Sequence, residues 1–402
     1  MELAATLPDV IHLEVGEPSF DTPQHIVEAA VQAARDGFTK YTPNAGVTSL
    51  RQALVEKLRT DNRIDAALAN VVVTNGGVGA LTSAILATVD VGDEVLLPDP
   101  GWPNYNSATL IVGATPRKYP LDPGKGFLPD LATLEEMVTE RTKLILVNSP
   151  CNPTGAVFSR DIVQGLAEFC QKHDLYMLSD EVYEHIIFEG EHVSPSLFAP
   201  ERVISVFSFS KTYAMTGWRV GYVYAPKEVA TVMVKLQEPL TSCVNGIAQK
   251  AAEAALAGPQ HCVEEMCASY KKRRDIAAAV LRSHDLLNYT PHGAFYILVN
   301  IAATGMESYA FSKALIREEH VAVAPGGTFG EIGRSFVRVS TATAEDQLRE
   351  ELEGGAGDAT ASALPCWATG HGPETEDVRS VQRNERPAPR RDRRCPIEET
   401  NA

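Results

Sequence analysis

Between residues 24 and 321 the chain alternates short, β-branched apolar runs with stretches of helical period, and few architectures can use such an alternation. The runs at 71–74, 94–97, 144–147, 176–178, 203–207 and 220–223 are apolar nearly throughout, whereas a strand with one wet face would alternate. They predict a mostly parallel sheet buried by helices on both faces, with ligands gathering beyond the carboxyl ends of the strands. Helices are expected over 48–59, where Leu50, Leu54 and Leu58 form one stripe, over 78–88, over 161–173, and from 246 toward 283 with a break at Gly258-Pro259. Past Leu286 the pattern changes to a strand at 294–299, a helix at 308–319 and a strand at 336–340, which reads as a second, smaller α+β unit. Residues 354–402 hold few large apolar side chains, and arginines crowd between Arg379 and Arg394. Such a stretch cannot offset its ordering entropy, so a disordered tail is expected there.

Composition excludes several function classes. Fifty-two acidic against 36 basic residues leave a net charge of -16, which disfavours any surface built to hold a nucleic-acid backbone. No run approaches the roughly 18 apolar residues of a membrane span, and the first residues lack a secretory pattern, so a cytoplasmic protein is expected. The seven cysteines include no Cys-x-x-Cys and the ten histidines no His-x-x-x-His, so neither a disulfide framework nor a protein-bound metal is indicated.

Four motifs fall where this architecture would place a site. Ser208-Phe-Ser-Lys211 follows an apolar run and leads to Arg219. A lysine desolvated there would have a lowered pKa and a nucleophilic amine suited to Schiff-base chemistry, with Ser208, Ser210 and Arg219 as donors to a phosphate. Thr74-Asn-Gly76-Gly77-Val78-Gly79 follows a strand and opens a helix, which makes an anion cup. It is neither a dinucleotide fingerprint nor a P-loop, because position 82 is Thr and no Gly-Lys-Ser/Thr follows. Asn152-Pro-Thr-Gly and Asp180-Glu-Val-Tyr183 each lie just beyond a strand, and a carboxylate such as Asp180 could keep a heteroaromatic nitrogen protonated. Singly, each motif has an ordinary explanation in turn chemistry or strand ends.

Together and in order, with Leu13-Glu-Val-Gly16-Glu17-Pro18, Tyr41-Thr-Pro-Asn-Ala-Gly46 and Val337-Arg338-Val-Ser, they resemble the class I/II aminotransferases of pyridoxal-phosphate fold type I, in the bacterial aspartate-aminotransferase-like branch. The resemblance runs over about residues 9–353. It implies an α/β fold with a large, mostly parallel-sheet cofactor domain (23–277), a small domain (278–353) that the segment 1–22 joins, and the tail beyond. It implies pyridoxal 5'-phosphate as cofactor and amino-group transfer between an L-amino acid and a 2-oxo acid by alternating half reactions. Lys211 would be covalent tether and general base, Asp180 the partner of the ring nitrogen, Tyr183 and Asn152 the partners of the ring's phenolate oxygen, and Trp102 the stacking aromatic. Gly77, Val78, Ser208, Ser210 and Arg219 would hold the phosphate, with Tyr41 reaching in from the other subunit of a homodimer. Arg338, helped by Asn152 and Gly16, would bind the substrate α-carboxylate.

The match departs in three places. Some members of the branch carry a lysine just after the two glycines of the cup; Val78 stands there, which weakens the case for an acidic amino donor and leaves room for neutral, aliphatic or aromatic side chains unless an arginine from elsewhere compensates. The chain starts almost on its first motif, without the usual arm. A last helix expected at 344–353 stops early and gives way to a tail that reads either as an extension or as an out-of-frame segment. Two other readings use the same residues: a β-elimination or γ-replacement enzyme sharing the cofactor, and a non-catalytic homologue.

Overall fold

The structure is a computed structural model and describes residues 10–343. Its strands are β1 (Ile11–His12), β2 (Val71–Thr74), β3 (Glu94–Asp99), β4 (Thr115–Pro120), β5 (Thr142–Asn148), β6 (Tyr176–Asp180), β7 (Val203–Ser208), β8 (Gly221–Tyr224), β9 (Tyr296–Asn300), β10 (Val321–Ala322), β11 (Ala324–Pro325) and β12 (Phe336–Ser340). Seven of them form one sheet in the order β2-β8-β7-β6-β5-β3-β4. Only β8 runs against the others, pairing antiparallel with both β2 and β7.

Both faces of this sheet are covered, which is why its strands do not alternate in polarity. Leu96, Ile145 and Met177 pack toward Val163, Leu166 and Phe169 of the helix Arg160–His173. Their neighbours Leu97, Leu146 and Leu178 point the other way, toward Ala80, Ala84 and Ile85 of the helix Gly76–Thr88. The expected stripe Leu50, Leu54 and Leu58 is fully buried on Thr48–Thr60, against β2 and the helix Gly246–Ala257. The break at Gly258-Pro259 separates that helix from His261–Ser283. Helices Gln24–Arg35, Pro103–Ile111, Leu131–Met137 and Lys227–Thr241, and strand β4, are elements the sequence pattern did not single out.

A second, three-stranded antiparallel sheet has the order β11-β12-β9, and β1 pairs in parallel with β10 beside it. Leu13 therefore shares an apolar cluster with Ile297, Val299, Phe311, Leu315 and Val337. The strand expected to begin at residue 294 begins at Tyr296, because Ala294 takes a left-handed φ of 56° and Gly293 makes only an isolated bridge to Ile187. Among the described residues no helix is long and apolar enough to cross a membrane. The helix expected at 344–353 and the tail at 354–402 lie outside the described residues.

Candidate active site

Four of the parallel strands end at one edge of the large sheet, and their ends carry the polar groups. β6 closes on Asp180, β5 leads to Asn152, β7 leads through Ser208 to Lys211, and β2 runs into the helix that starts at Gly76. The reversed β8 brings its beginning to the same edge, since Gly221 pairs with both Thr74 and Ser208, so Arg219 arrives there from the other chain direction. A cavity of about 260 Å³ lies at this edge. It is lined by Gly16, Gly77, Val78, Trp102, Asn152, Asp180, Tyr183, Ser208, Ser210, Lys211, Arg219 and Arg338, together with Leu81, Tyr105, Val182, Thr216 and Tyr296. Of the residues expected from sequence only Tyr41 is absent from the lining; it is 90% exposed in the single chain.

Asp180 sits at the bottom of the cavity, 2% exposed. Its Oδ2 accepts from the Tyr105 hydroxyl at 2.7 Å and its Oδ1 from the Val182 N–H at 3.3 Å. Burial raises its pKa to about 6 against the opposing pull of those two hydrogen bonds, with Glu181 adding to the rise and Lys211 opposing it. Asn148 ties two strand ends together: its amide donates to the Asp180 carbonyl at 2.9 Å and its Oδ1 accepts from the Asn152 N–H at 2.7 Å.

Lys211 lies in the short helix Phe209–Thr212, whose N-cap Ser208 accepts from the Ser210 N–H at 3.2 Å. Its Nζ donates to the Gly16 carbonyl at 2.5 Å. Burial lowers the amine to about 8, helped by Arg338 and Arg219 and opposed by Glu17 and Asp180. An amine so displaced supplies far more neutral nucleophile near neutrality than a surface lysine.

Gly77 and Val78 occupy the first turn of Gly76–Thr88, where free N–H groups and the positive helix end meet. Gly76 has φ +70°, and a β-carbon there would meet the Arg219 guanidinium; one on Gly77 would press on Val182. Arg219 is itself held in a left-handed turn, φ 55°, with Nη1 donating to the Thr216 carbonyl at 2.7 Å. Helix end, two hydroxyls and a guanidinium make a site for a multiply charged anion.

Arg338 enters from β12 of the smaller sheet and is 7% exposed. Nη1 donates to Asn152 Oδ1 at 2.9 Å and Nη2 to the Glu14 carbonyl at 2.6 Å, while its buried Nε has no partner. Aromatic rings flank the guanidinium, Tyr296 with its centroid at 4.3 Å and Phe329 at 4.9 Å. Tyr183 and Tyr296 share a hydroxyl contact of 2.8 Å, and burial raises both phenols so that they stay neutral. Trp102 meets Tyr105 edge to face at 5.6 Å. Tyr105 and Tyr296 are the functional positions the sequence reading passed over: Tyr105 falls in the Trp102 motif and Tyr296 in a predicted strand, and neither carries a pattern of its own.

A buried carboxylate suited to a cationic ring nitrogen, an anion cradle and a desolvated lysine line one cavity, a set that fits pyridoxal phosphate and defines the class as an α/β enzyme of that cofactor. The family model for aminotransferase class I and II matches residues 8–353, and the chain belongs to that family. It is 40% identical over 355 residues to an aspartate aminotransferase of Pyrococcus horikoshii, covering 87% of this chain and 91% of that one. It is also 40% identical to an aspartate/prephenate aminotransferase of Thermus thermophilus, covering 88% and 92%. The crystal structure of an aromatic aminotransferase from Pyrococcus horikoshii superposes with a TM-score of 0.84 at 41% identity, covering 87% and 94%. The protein is thus a pyridoxal-phosphate-dependent aminotransferase that moves an amino group from an amino acid to a 2-oxo acid in alternating half reactions.

Proposed function

We propose that Lys211 is the covalent tether and general base of this transfer, and that the amino donor carries a neutral or aromatic side chain. The observation that carries the first part is the lysine itself: buried beside Asp180, with its amine displaced to about 8 and aimed at the Gly16 carbonyl. When bound, the cofactor supplies the electron sink that stabilises a carbanion. The chain does the rest. Asp180 keeps a proton on the ring nitrogen, the Gly77 and Val78 backbone with Ser208, Ser210 and Arg219 holds the phosphate, and Tyr183 and Asn152 face the phenolate oxygen. Trp102 closes one side. Arg338 takes the substrate carboxylate, for which its unpartnered Nε and polar neighbours leave capacity, and Gly16 borders that place. With the carboxylate fixed, Lys211 Nζ can take the proton from the substrate α-carbon and return it.

For the side chain, the lining cations are Lys211, Arg219 and Arg338, and each already has a role. Val78, 40% exposed, presents an apolar surface beside the glycine turn. Among the described residues of one chain, no lining cation is left for a distal carboxylate. Relatives named for aspartate, aspartate/prephenate and aromatic amino acids show that the family frame admits both kinds of donor. The exposure of Tyr41 in one chain supports its reaching the phosphate site of a second copy, and with it a homodimer as the working unit. The pairing of β1 with β10 supports assigning segment 1–22 to a small domain with 278–353, apart from the cofactor domain 23–277. Free Cys151 and Cys170 in the core support a reducing, cytoplasmic setting.

The test combines a lysine exchange with a substrate panel. Lys211→Ala is expected to abolish steady-state transfer, while Lys250→Ala, at a lysine paired with Glu253 at 2.8 Å, is expected to keep it. Borohydride reduction followed by digestion should mark the Lys211 peptide. Single amino acids should convert the aldehyde form of the cofactor to the amine form fastest for neutral or aromatic donors. A marked peptide elsewhere refutes the lysine assignment, fastest conversion by aspartate refutes the donor assignment, and steady release of ammonia would make the enzyme a lyase.

A further inference from the structure

Tyr296 stands between the two halves of the site, and the register of the small sheet puts it there. β12 and β9 pair antiparallel with Arg338 opposite Leu298 and Ser340 opposite Tyr296, so Tyr296 is the diagonal neighbour of Arg338 on one face. Its ring lies under the guanidinium at 4.3 Å. Its hydroxyl reaches the other way, to the Tyr183 hydroxyl at 2.8 Å, with the two rings edge to face at 5.8 Å. A third contact fixes it: a β-carbon on Gly16 would overlap the Tyr296 hydroxyl, so the glycine leaves room for that oxygen. The side chain is 2% exposed, which leaves it little freedom to leave this position.

We propose that Tyr296 is a positioning residue for the transfer reaction, its ring setting the plane of Arg338 and its hydroxyl setting the proton direction of Tyr183. The inference rests on the reading that Arg338 takes the substrate carboxylate and Tyr183 faces the cofactor oxygen. A phenol has one hydrogen to give. If Tyr183 gives its hydrogen to the cofactor, Tyr296 must give its own to Tyr183, and a donor that also accepts is a stronger donor. The ring works separately: a desolvated cation over an aromatic face is held in a plane that suits bidentate contact with a carboxylate. One residue thereby couples substrate orientation to the proton balance of the cofactor, by two parts that can be removed independently.

The test uses the cofactor-loaded enzyme with Tyr296→Phe and Tyr296→Leu. Two quantities are read: the pH midpoint of the visible absorbance shift, and the dissociation constant of 3-phenylpropionate, a carboxylate with no amine to react. Tyr296→Phe should raise the midpoint by about half a pH unit, the effect of losing one hydrogen bond of a chain, and keep the dissociation constant within about twofold. Tyr296→Leu should raise the midpoint equally and weaken the carboxylate roughly tenfold. A midpoint unmoved in the Phe variant, or a dissociation constant unmoved in the Leu variant, overturns the proposal. So does a joint loss of both in the two variants alongside lower melting temperature, which would mark a packing role only. The wild-type enzyme controls for the underlying reading: if its borohydride mark misses Lys211, the site assignment falls, and if the mark is there while the Tyr296 variants behave as wild type, only the coupling falls.

Discussion

Exchanging Asp180 for asparagine in protein stripped of cofactor should change how stability depends on pH, by an amount the structure fixes. Burial holds Asp180 at about 6 in the folded chain against an ordinary value of 3.8. A folded-state pKa above the unfolded one means the folded chain keeps a proton that the unfolded chain has lost, so this group lowers stability as pH rises from about 4 to about 6. The full cost, present above pH 6, is about two pKa units, or roughly 3 kcal/mol. About half of it is already present at pH 5, so from pH 5 to pH 8 the wild type should lose about 1.5 kcal/mol relative to Asp180→Asn. The lost bonds from Tyr105 and Val182 shift the variant by an offset that does not change with pH. Urea unfolding of both proteins at pH 5 and pH 8 measures the difference of differences, in which titrating groups that do not interact with Asp180 cancel. A gap that stays flat between pH 5 and pH 8 would show that Asp180 is not raised above its ordinary value in the folded chain and would refute the assignment of desolvation as the dominant cause. Loaded with cofactor, the same variant should be the slower enzyme, because a neutral amide cannot keep the ring nitrogen protonated.

Gly16→Ala should raise KM for the amino acid roughly tenfold, since the new β-carbon must push the Tyr296 hydroxyl off Tyr183 and disturb Arg338 over the same ring, the proposed carboxylate site; steady-state kinetics showing an unchanged KM would mean the glycine is there for backbone reasons alone. Lys57→Met should destabilise the fold by about 3 kcal/mol at neutral pH by leaving the buried Glu184 carboxylate without its lysine, with Asn62 still donating to it. Burial works to raise Glu184, yet Lys57 and the nearby His185 and His192 outweigh it and hold the carboxylate at about 2. That contribution is complete above the ordinary glutamate range and is lost as pH falls toward 2, so denaturation curves of variant and wild type should converge in acid.

What could be read from the sequence, and what could not, divides along physical lines. Strands β2, β3, β5, β6 and β7 announce themselves because both of their faces are buried and their middle residues are mostly apolar. Strand β4, Thr115-Pro-Arg-Lys-Tyr-Pro, is the outer edge of the same sheet and is mostly wet, so it carries charge and proline and looks like a loop. Lys227–Thr241 hides for a related reason: Pro239 sits inside its last turn and breaks the expected pattern. In the site, Asp180, Asn152, Ser208 and Lys211 are legible because each follows its own strand in a short motif. Tyr105 and Tyr296 were not, because their roles exist only in contacts 75 and 113 residues away along the chain, and an aromatic residue that packs on a partner looks in sequence like any other core tyrosine.

The six residues from Asp180 to His185 show how a strand end can carry this many carboxylates without unfolding its own site. The carboxylates of this turn face two ways. Asp180 and Tyr183 look into the cavity, where Asp180 is held above its ordinary pKa by burial. Glu181 and Glu184 look backward: Glu181 accepts from Ser194 at 3.1 Å, with its Oε2 3.0 Å from His192 Nε2 but not hydrogen-bonded to it, while Glu184 accepts from Lys57 at 2.5 Å and from Asn62 at 2.6 Å. Lys57 in turn sits 4.9 Å from the Phe207 ring, one residue before the strand end that leads to Lys211. Glu184 anchors the turn to the helix Thr48–Thr60 through Lys57, and Glu181 ties it to Ser194. A carboxylate desolvated in the cavity is then tolerable, because the turn that carries it is held by paired groups on its other side.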